Sequence, residues 1–587
     1  MGKTRLVYEL KKALAGEDVA FLAGGCLSYG RVIAYLPFID LLKASCEIED
    51  GEAEPAVMQR VRMSLDNAGL PAEEFAPALL SLLAIQVDGA AMADEGIELQ
   101  QRKIFVALQA LLLQESRRRP LILILENLHW MDTTSEELLT FLIDSILALP
   151  VLLLTTYRPG YSPPWGDRSH HTRLILESLS EGECVALVEE LLRTRAVGAD
   201  VQAFIFKQAE GNPFYVEELT KSLLEMRALE QYENGYVLTQ GALQGQIPDT
   251  IQNVIAARID RLPEREKRLI QAAAVIGREF SLQFLQKIAE GEHELTYSLQ
   301  HLQALGLIYD RGFFPDPRYF FKHALTQEVA YHSLLTPRRQ ALQEAIGAAI
   351  EEFYNARLEE HCELLAHHFT RSGNCDKAVH YLSLAGKKAA RIFADEQAIA
   401  FFQEALGCLD GLVDSEVRKR KAVEILFDLE VHYDLLARRD EQCDTLRRLI
   451  HSAMALDDPA LLSDAYIRQG ELLSVVGSAE DALACVERAL SLKKLIGDKQ
   501  GETKALRAMG FIYWQRGQYD AALHIHREVL QVHRVLGDRE TEGMDLINLG
   551  ELLRQLQRYQ EALQCLEEAL QLLTMIGNPL ALSVFTR

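Results

Sequence analysis

Apolar residues follow different periods in different parts of the chain, and each period predicts a different architecture. To about residue 240, helical spacing alternates with short apolar runs. The runs DVAFLAGG (Asp18–Gly25), PLILILEN (Pro120–Asn127) and PVLLLTTY (Pro150–Tyr157) predict strands. The last two are continuously apolar, as in strands buried on both faces of a parallel sheet. Helices alternating with such strands predict an α/β layer fold with right-handed crossovers. The polar, Gly- and Pro-rich stretch Tyr157–Thr172 predicts a loop.

From about Ile247 the pattern turns helical. In IPDTIQNVIAARIDRLPE, Asp249 is the expected N-cap and Pro263 the expected stop. The segment REKRLIQAAAVIG predicts a further helix. GLIYDRGFFPDPRYFF holds two aromatic runs around a turn and predicts a β-hairpin, so this part predicts a small winged-helix-like domain. From about residue 340 all spacing is helical. Beyond residue 460 it repeats: Gly470, Gly510 and Gly550 stand 40 apart, and Asp498, Asp538 and Asn578 keep that step, each after a glycine. A period of 40 suits several solenoids, but Leu506-x-x-Met509-Gly510-x-x-Tyr513 matches the first helix of a tetratricopeptide repeat. Ala482, Ala522 and Ala562 are small enough for a second helix to cross the first closely. Ala366–Leu406 reads as degenerate earlier units. A stack of this kind has a concave groove suited to peptides or partner segments.

Composition narrows the function classes. The 587 residues suggest roughly three to five domains, or fewer with a repeat array. A formal net charge of −24 disfavours nucleic acid or anionic lipid as the main partner. Nine cysteines without a C-x-x-C pair fit a reducing cytoplasm better than a disulfide framework. No apolar run reaches membrane-spanning length. The pairs His361/Cys362 and His367/His368 are helical neighbours that point in different directions, which argues against a metal site.

Two stretches carry candidate chemistry. Gly2-Lys3-Thr4 runs into a helix, like the end of the phosphate loop G-x-x-x-x-G-K-[ST]. There Lys3 would reach the β- and γ-phosphates and Thr4 would give its hydroxyl to Mg²⁺, with backbone N–H groups at the helix start meeting phosphate oxygens. Glu126 ends the strand LILILE, where a carboxylate holds Mg²⁺ in phosphate-loop ATPases. Asn127 stands where a second acid would polarise water. The other reading of this stretch is a core strand capped by a polar turn.

Leu125–Asp132, LENLHWMD, resembles the L-E-D-L-H-W-A-D element of a bacterial family of signal-transduction ATPases. These are STAND-type, AAA-like ATPases fused to tetratricopeptide repeats, found in cyclase-associated proteins and in large ATP-binding regulators of the maltose-activator type. Further similarities follow in order: Leu154–Pro159 to the sensor strand, Glu210–Phe214 to the G-x-P element, Ile247–Leu262 and Ala274–Phe280 to the next helical segment, and Phe321–Leu325 to an F-x-H-x-L step. The resemblance implies a P-loop NTPase domain over 1–240, a helical, winged-helix-like domain over 241–340 and tetratricopeptide-type repeats over 341–587, clearest over 461–587. It implies ATP or ADP with Mg²⁺ as cofactors, and a protein or peptide partner in the repeat groove, with self-association a further option. Arg158 would report on the γ-phosphate, or be a surface arginine. Pro213 would face the adenine, or simply start a helix. His323 would meet the ADP β-phosphate, or be a packed core histidine.

The chain departs from the pattern at its start. The first loop glycine, most of the loop and the preceding strand are not in the sequence, so MGKTRL reads as the edge of a broken ATP site in a fragment, binding nucleotide poorly. The expected function is the ATP-binding switch of a larger signalling protein, such as an adenylate or guanylate cyclase. The alternatives are a nucleotide-independent repeat scaffold, or the regulatory part of a large ATP-binding transcription activator.

Overall fold

Each apolar run of the first part becomes a strand. β1 (Ala20–Gly25), β2 (Leu121–Glu126) and β3 (Val151–Thr155) form a parallel sheet in the order β1-β2-β3. The computed structural model describes residues 2–26, 33–49, 51–85, 97–147, 149–166, 170–194, 196–232, 235–239, 250–289, 295–311, 317–411 and 413–576. The chain divides into two units. One holds residues 1–28, 113–131 and 139–378, and the other residues 29–112, 132–138 and 379–587.

In the first unit, β2 is central and buried from Leu121 to Leu125, as its unbroken apolar run requires. β3 corrects the expectation of burial on both faces: it is only half-buried and Leu152 is 48 % exposed. Its one paired neighbour among the described strands is β2, so an apolar run alone did not guarantee cover. The helix Lys3–Ala13 lays Val7 on Ile122 and Ile124, with Leu14, Val19, Phe21 and Leu154 around them. Only a short turn separates this helix from β1. The helix therefore runs back along the sheet, and its N-terminus lies toward the carboxyl ends of the parallel strands.

Helices Glu181–Leu192, Ala199–Ala209 and Pro213–Glu225 close around Val188, Val201, Ile205, Val216 and Leu219. A small sheet of β4 (Ala196–Val197), β5 (Leu229–Tyr232) and β6 (Gly235–Leu238), ordered β4-β6-β5, borders them. Next come helices Ile251–Asp260, Glu264–Ile276, Leu282–Ile288 and Leu295–Ala304 with β7 (Glu279–Ser281), β8 (Ile308–Arg311) and β9 (Arg318–Phe321). β8 and β9 are the expected hairpin, and β7 adds a third antiparallel strand beside β9. Three residues, EFS, were too few to show a strand period; Phe280 fixes them by packing on Tyr319 and Phe321. Thr250 caps the first of these helices by accepting from Asn253 N–H, while Asp249 lies outside the described residues. That helix ends at Asp260, and Pro263 stands directly before the next one.

In the second unit the 40-residue period is a stack of paired helices: Pro459–Val476 with Ala479–Ile496, Lys499–Gln515 with Tyr519–Leu536, and Arg539–Gln555 with Tyr559–Met575. Gly470, Gly510 and Gly550 sit where the helices of a pair touch. A Cβ there would come within 2.5 Å of Val486, 2.8 Å of His526 and 2.9 Å of Leu566. Ala482, Ala522 and Ala562 are buried at the same crossings. Gly386 makes the same approach to Phe402, so the earlier, degenerate pairs use the same device. The Gly-Asp steps are helix punctuation: Gly497 and Gly537, both at φ +72°, end one helix. Asp498 and Asp538 then cap the next by accepting from Gly501 and Thr541 N–H. Asn578 lies outside the described residues.

Candidate nucleotide site

The first unit places Gly2, Lys3, Thr4, Glu126, Asn127 and Arg158 at the carboxyl-terminal end of the parallel sheet, where ligands of open α/β sheets bind. Gly2 adopts φ +91° and its carbonyl accepts from Leu6 N–H, so it opens the first helical turn. Thr4 is exposed and Lys3 half-exposed, and Lys3 makes no ion pair among the described residues. Glu126 is half-buried at the end of β2, its carboxylate likewise without an ion pair there.

Asn127 sits in a tight turn. It adopts φ +64°, a left-handed conformation that Asn and Asp accept more readily than most residues. Its N–H donates to Thr156 Oγ1 at 3.1 Å, and Leu128 N–H donates to the Thr156 carbonyl at 2.9 Å. These bonds tie the turn after β2 to the end of β3. The acid at the end of LENLHWMD has a local job. Asp132 accepts from Ser135 N–H at 2.9 Å and from the Ser135 hydroxyl, which caps the helix Thr133–Ser145. Its burial pushes its carboxyl up to about 6 against those bonds.

Arg158 is exposed, and its guanidinium lies over the Trp130 ring, 5.1 Å from the centroid. The sequence reading missed Trp130 as its support. No local pattern pointed to it, because the pair joins residues 28 apart in sequence, one after each of two neighbouring strands. Also missed was the apolar run Leu174, Ile175 and Leu176, exposed by 73, 73 and 38 %. Leu176 Cδ1 lies 3.9 Å from where a Gly2 Cβ would stand.

The same segment leads to Pro213. Leu179 N–H donates to the Gly211 carbonyl at 2.7 Å, and a Cβ on Gly211 would stand 2.4 Å from the Leu179 carbonyl oxygen. Hence Gly at 211, which also adopts φ +75°. Asn212 caps the following helix by accepting from Phe214 and Tyr215 N–H, which puts Pro213 in the first helical position. The next residue, Phe214, stacks on the His323 ring with centroids 3.7 Å apart. The fold thus joins two segments that lie far apart in sequence.

His323 is half-buried. Burial holds its imidazole down to about 4, with Lys322, Lys221 and Arg278 acting the same way and Glu217 opposing them. The ring is neutral at pH 7, and its Nε2 has no hydrogen-bond partner among the described residues; Glu217 is 4.0 Å away. Glu217 itself pairs with Lys221 and Lys322, which hold its carboxyl down to about 2 although burial opposes them.

Comparison with known proteins agrees with these elements. Residues 1–154 match the family described as AAA ATPase domain, and residues 461–534 and 501–575 match tetratricopeptide repeat. Residues 180–237 match a domain of unknown function. An uncharacterized protein of Rhizobium meliloti is 25 % identical over 71 % of this chain, and the chain spans 40 % of that protein's length. A solved STAND protein with a tetratricopeptide repeat sensor from Pyrococcus horikoshii is 16 % identical, covering 100 % of this chain and 85 % of its own, with a TM-score of 0.34. Aspartyl phosphate phosphatase F from Bacillus subtilis is 13 % identical over 57 % of this chain and 77 % of its own, with a TM-score of 0.34. The chain carries an AAA ATPase domain with a parallel sheet, followed by helical tetratricopeptide repeats.

Proposed function

We propose that the chain is a nucleotide-dependent signalling switch, with the repeats as its sensing part, within a larger signalling protein such as a cyclase. One observation carries the reading: Lys3 and Glu126, neither in an ion pair among the described residues, and the exposed Thr4 lie toward the carboxyl end of one parallel sheet. A cation, a hydroxyl and a carboxylate are the donor set that a Mg²⁺-bound triphosphate requires. Lys3 and the N-terminal N–H groups of its helix would hold phosphate, and Thr4 and Glu126 would hold the metal. The metal would neutralise phosphate charge. Asn127 and Arg158 would flank the γ-phosphate, Pro213 and His323 would meet the base and the β-phosphate, and Trp130 would keep Arg158 in place.

A phosphate nest also uses N–H groups of residues ahead of the Gly-Lys pair. Calorimetric titration with an ATP analogue and Mg²⁺ is therefore run on the chain and on a form carrying a strand and a G-x-x-G turn ahead of Gly2. Binding by the extended form, abolished by Lys3→Ala, supports the reading. Absence of binding in both forms favours a repeat scaffold that works without nucleotide.

A further inference from the structure

The first helices of the repeats line a groove of about 1030 Å³. That is at or above the upper end of small-molecule pockets, about 300–1,000 Å³. It stretches across several helices, from Phe427 and Glu430 to Asn548 and Glu551, which suits an extended chain better than a compact ligand.

Its polar lining is mostly spoken for. Asp464 pairs with Lys493, Asp434 with Arg439, and Arg507 lies 3.7 Å from Asp545. Among the described residues, Glu471, Lys504 and Asn548 make no ion pair or side-chain hydrogen bond. The lining's five carboxylates, Glu430, Asp434, Asp464, Glu471 and Glu551, outnumber its three cations, Arg468, Lys504 and Arg507, so its charge favours a cationic guest. Glu430 is 1 % exposed, yet its Oε2 has no hydrogen-bond partner among the described residues; Arg468 Nη1 is 3.6 Å away. His526 is 6 % exposed and its Nδ1 likewise lacks a partner. Burial holds that ring down to about 4, so it is neutral and brings no charge. Glu471 lines the groove with its side chain exposed and without an ion pair among the described residues. Burial pushes the Glu430 carboxyl above the ordinary range, although the hydrogen bond from Gln442 and the nearby Arg468 oppose this. Beside them Phe511, 40 % exposed, packs on Trp514 and offers an apolar wall.

Lysine and arginine head groups are donors only, and a guanidinium carries five N–H groups. We propose that this groove binds an extended peptide segment through a lysine or arginine side chain seated between Glu471 and Glu430. The stem of that side chain lies along Phe511 and Trp514, as long cationic side chains do on apolar surface. This rests on the reading of the repeats as the sensing part and names the chemistry they sense.

The test is a positional-scanning hexapeptide library on the full chain, read by fluorescence anisotropy. At one position, pools fixed as arginine or lysine should bind about tenfold tighter than pools fixed as glutamate or aspartate, the size of a charge-assisted hydrogen bond. Glu471→Gln, at an exposed position, should erase that preference, and added salt should weaken it. Phe511→Ala should weaken every pool without changing the preference. The proposal is overturned if no pool binds, if acidic pools bind as well as basic ones, or if Glu471→Gln leaves the preference intact. An ATP-analogue titration on the chain and on the form extended ahead of Gly2 separates the two readings. Selective peptide binding where neither form binds nucleotide leaves the groove standing and removes the switch.

Discussion

Asn127 and Gly470 show what single residues reveal and conceal. Asn127 stands where the sequence suggested a second acid; its φ of +64° suits asparagine and aspartate alike, so the turn accommodates either. The reason for Gly470 was legible from its period, though not what it faces. A Gly470→Ala methyl would meet Val486 Cγ2 at 2.5 Å and the Ala482 carbonyl at 3.1 Å, both on a packed helix. We expect a loss of about 1–3 kcal/mol in thermal unfolding, the cost of overpacking. Trp130→Ala should free Arg158 from its stack. If Arg158 senses phosphate, that variant should bind an ATP analogue more weakly while keeping the wild-type melting temperature; unchanged binding would leave Trp130 a surface aromatic. Trp130 was hidden because a cation–π pair joins strand ends that lie 28 residues apart in sequence.

Among elements, Arg258 ties helices that hydrophobic period could not connect. It is 3 % exposed on the helix Ile251–Asp260 and bonds Glu218 and Glu225 of the helix Pro213–Glu225, as well as the Leu305 carbonyl. Glu218 is itself buried, and burial pushes its carboxyl up although Arg258 opposes this. Arg258→Ala would strand that acid, at a cost of about 3–5 kcal/mol, and differential scanning calorimetry should show it. A change below 1 kcal/mol would mean water replaces the arginine, as it does at exposed ion pairs worth about 0–1 kcal/mol. Many elements were legible: β1 to β3, the hairpin and the 40-residue pairs lie where periodicity put them, whereas the small sheet of β4, β5 and β6 had no sequence expectation. β7 and the half-exposure of β3 were not legible either, because a three-residue strand has no measurable period and cover depends on neighbours rather than on the run itself.

Across the whole molecule, buried titratable groups predict how stability depends on pH. Burial holds His323, His367 and His526 down to about 4, against about 6.5 in an unfolded chain. Between those values the unfolded state takes up protons that the folded state refuses. Their contribution is therefore full above pH 6.5 and is lost as pH falls toward 4, by at most ~3 kcal/mol per histidine. Asp132 works the other way: pushed up to about 6, its contribution is present below about pH 4 and lost as pH rises through 6. Asp132→Asn keeps a capping oxygen, so it should raise the melting temperature at pH 8 and change little at pH 4. Equal effects at both values would contradict the assigned burial. Only His323 was expected as a packed histidine, as one of two readings; the rest was not visible, because a histidine's burial depends on partners distant in the chain. The central claim is that Gly2-Lys3-Thr4 and Glu126 belong to one Mg²⁺-nucleotide site. The most direct measurement is calorimetric titration of an ATP analogue with Mg²⁺ into the form extended ahead of Gly2, with and without Lys3→Ala. The account predicts magnesium-dependent binding that Lys3→Ala abolishes; binding that survives Lys3→Ala, or none in either protein, would contradict it.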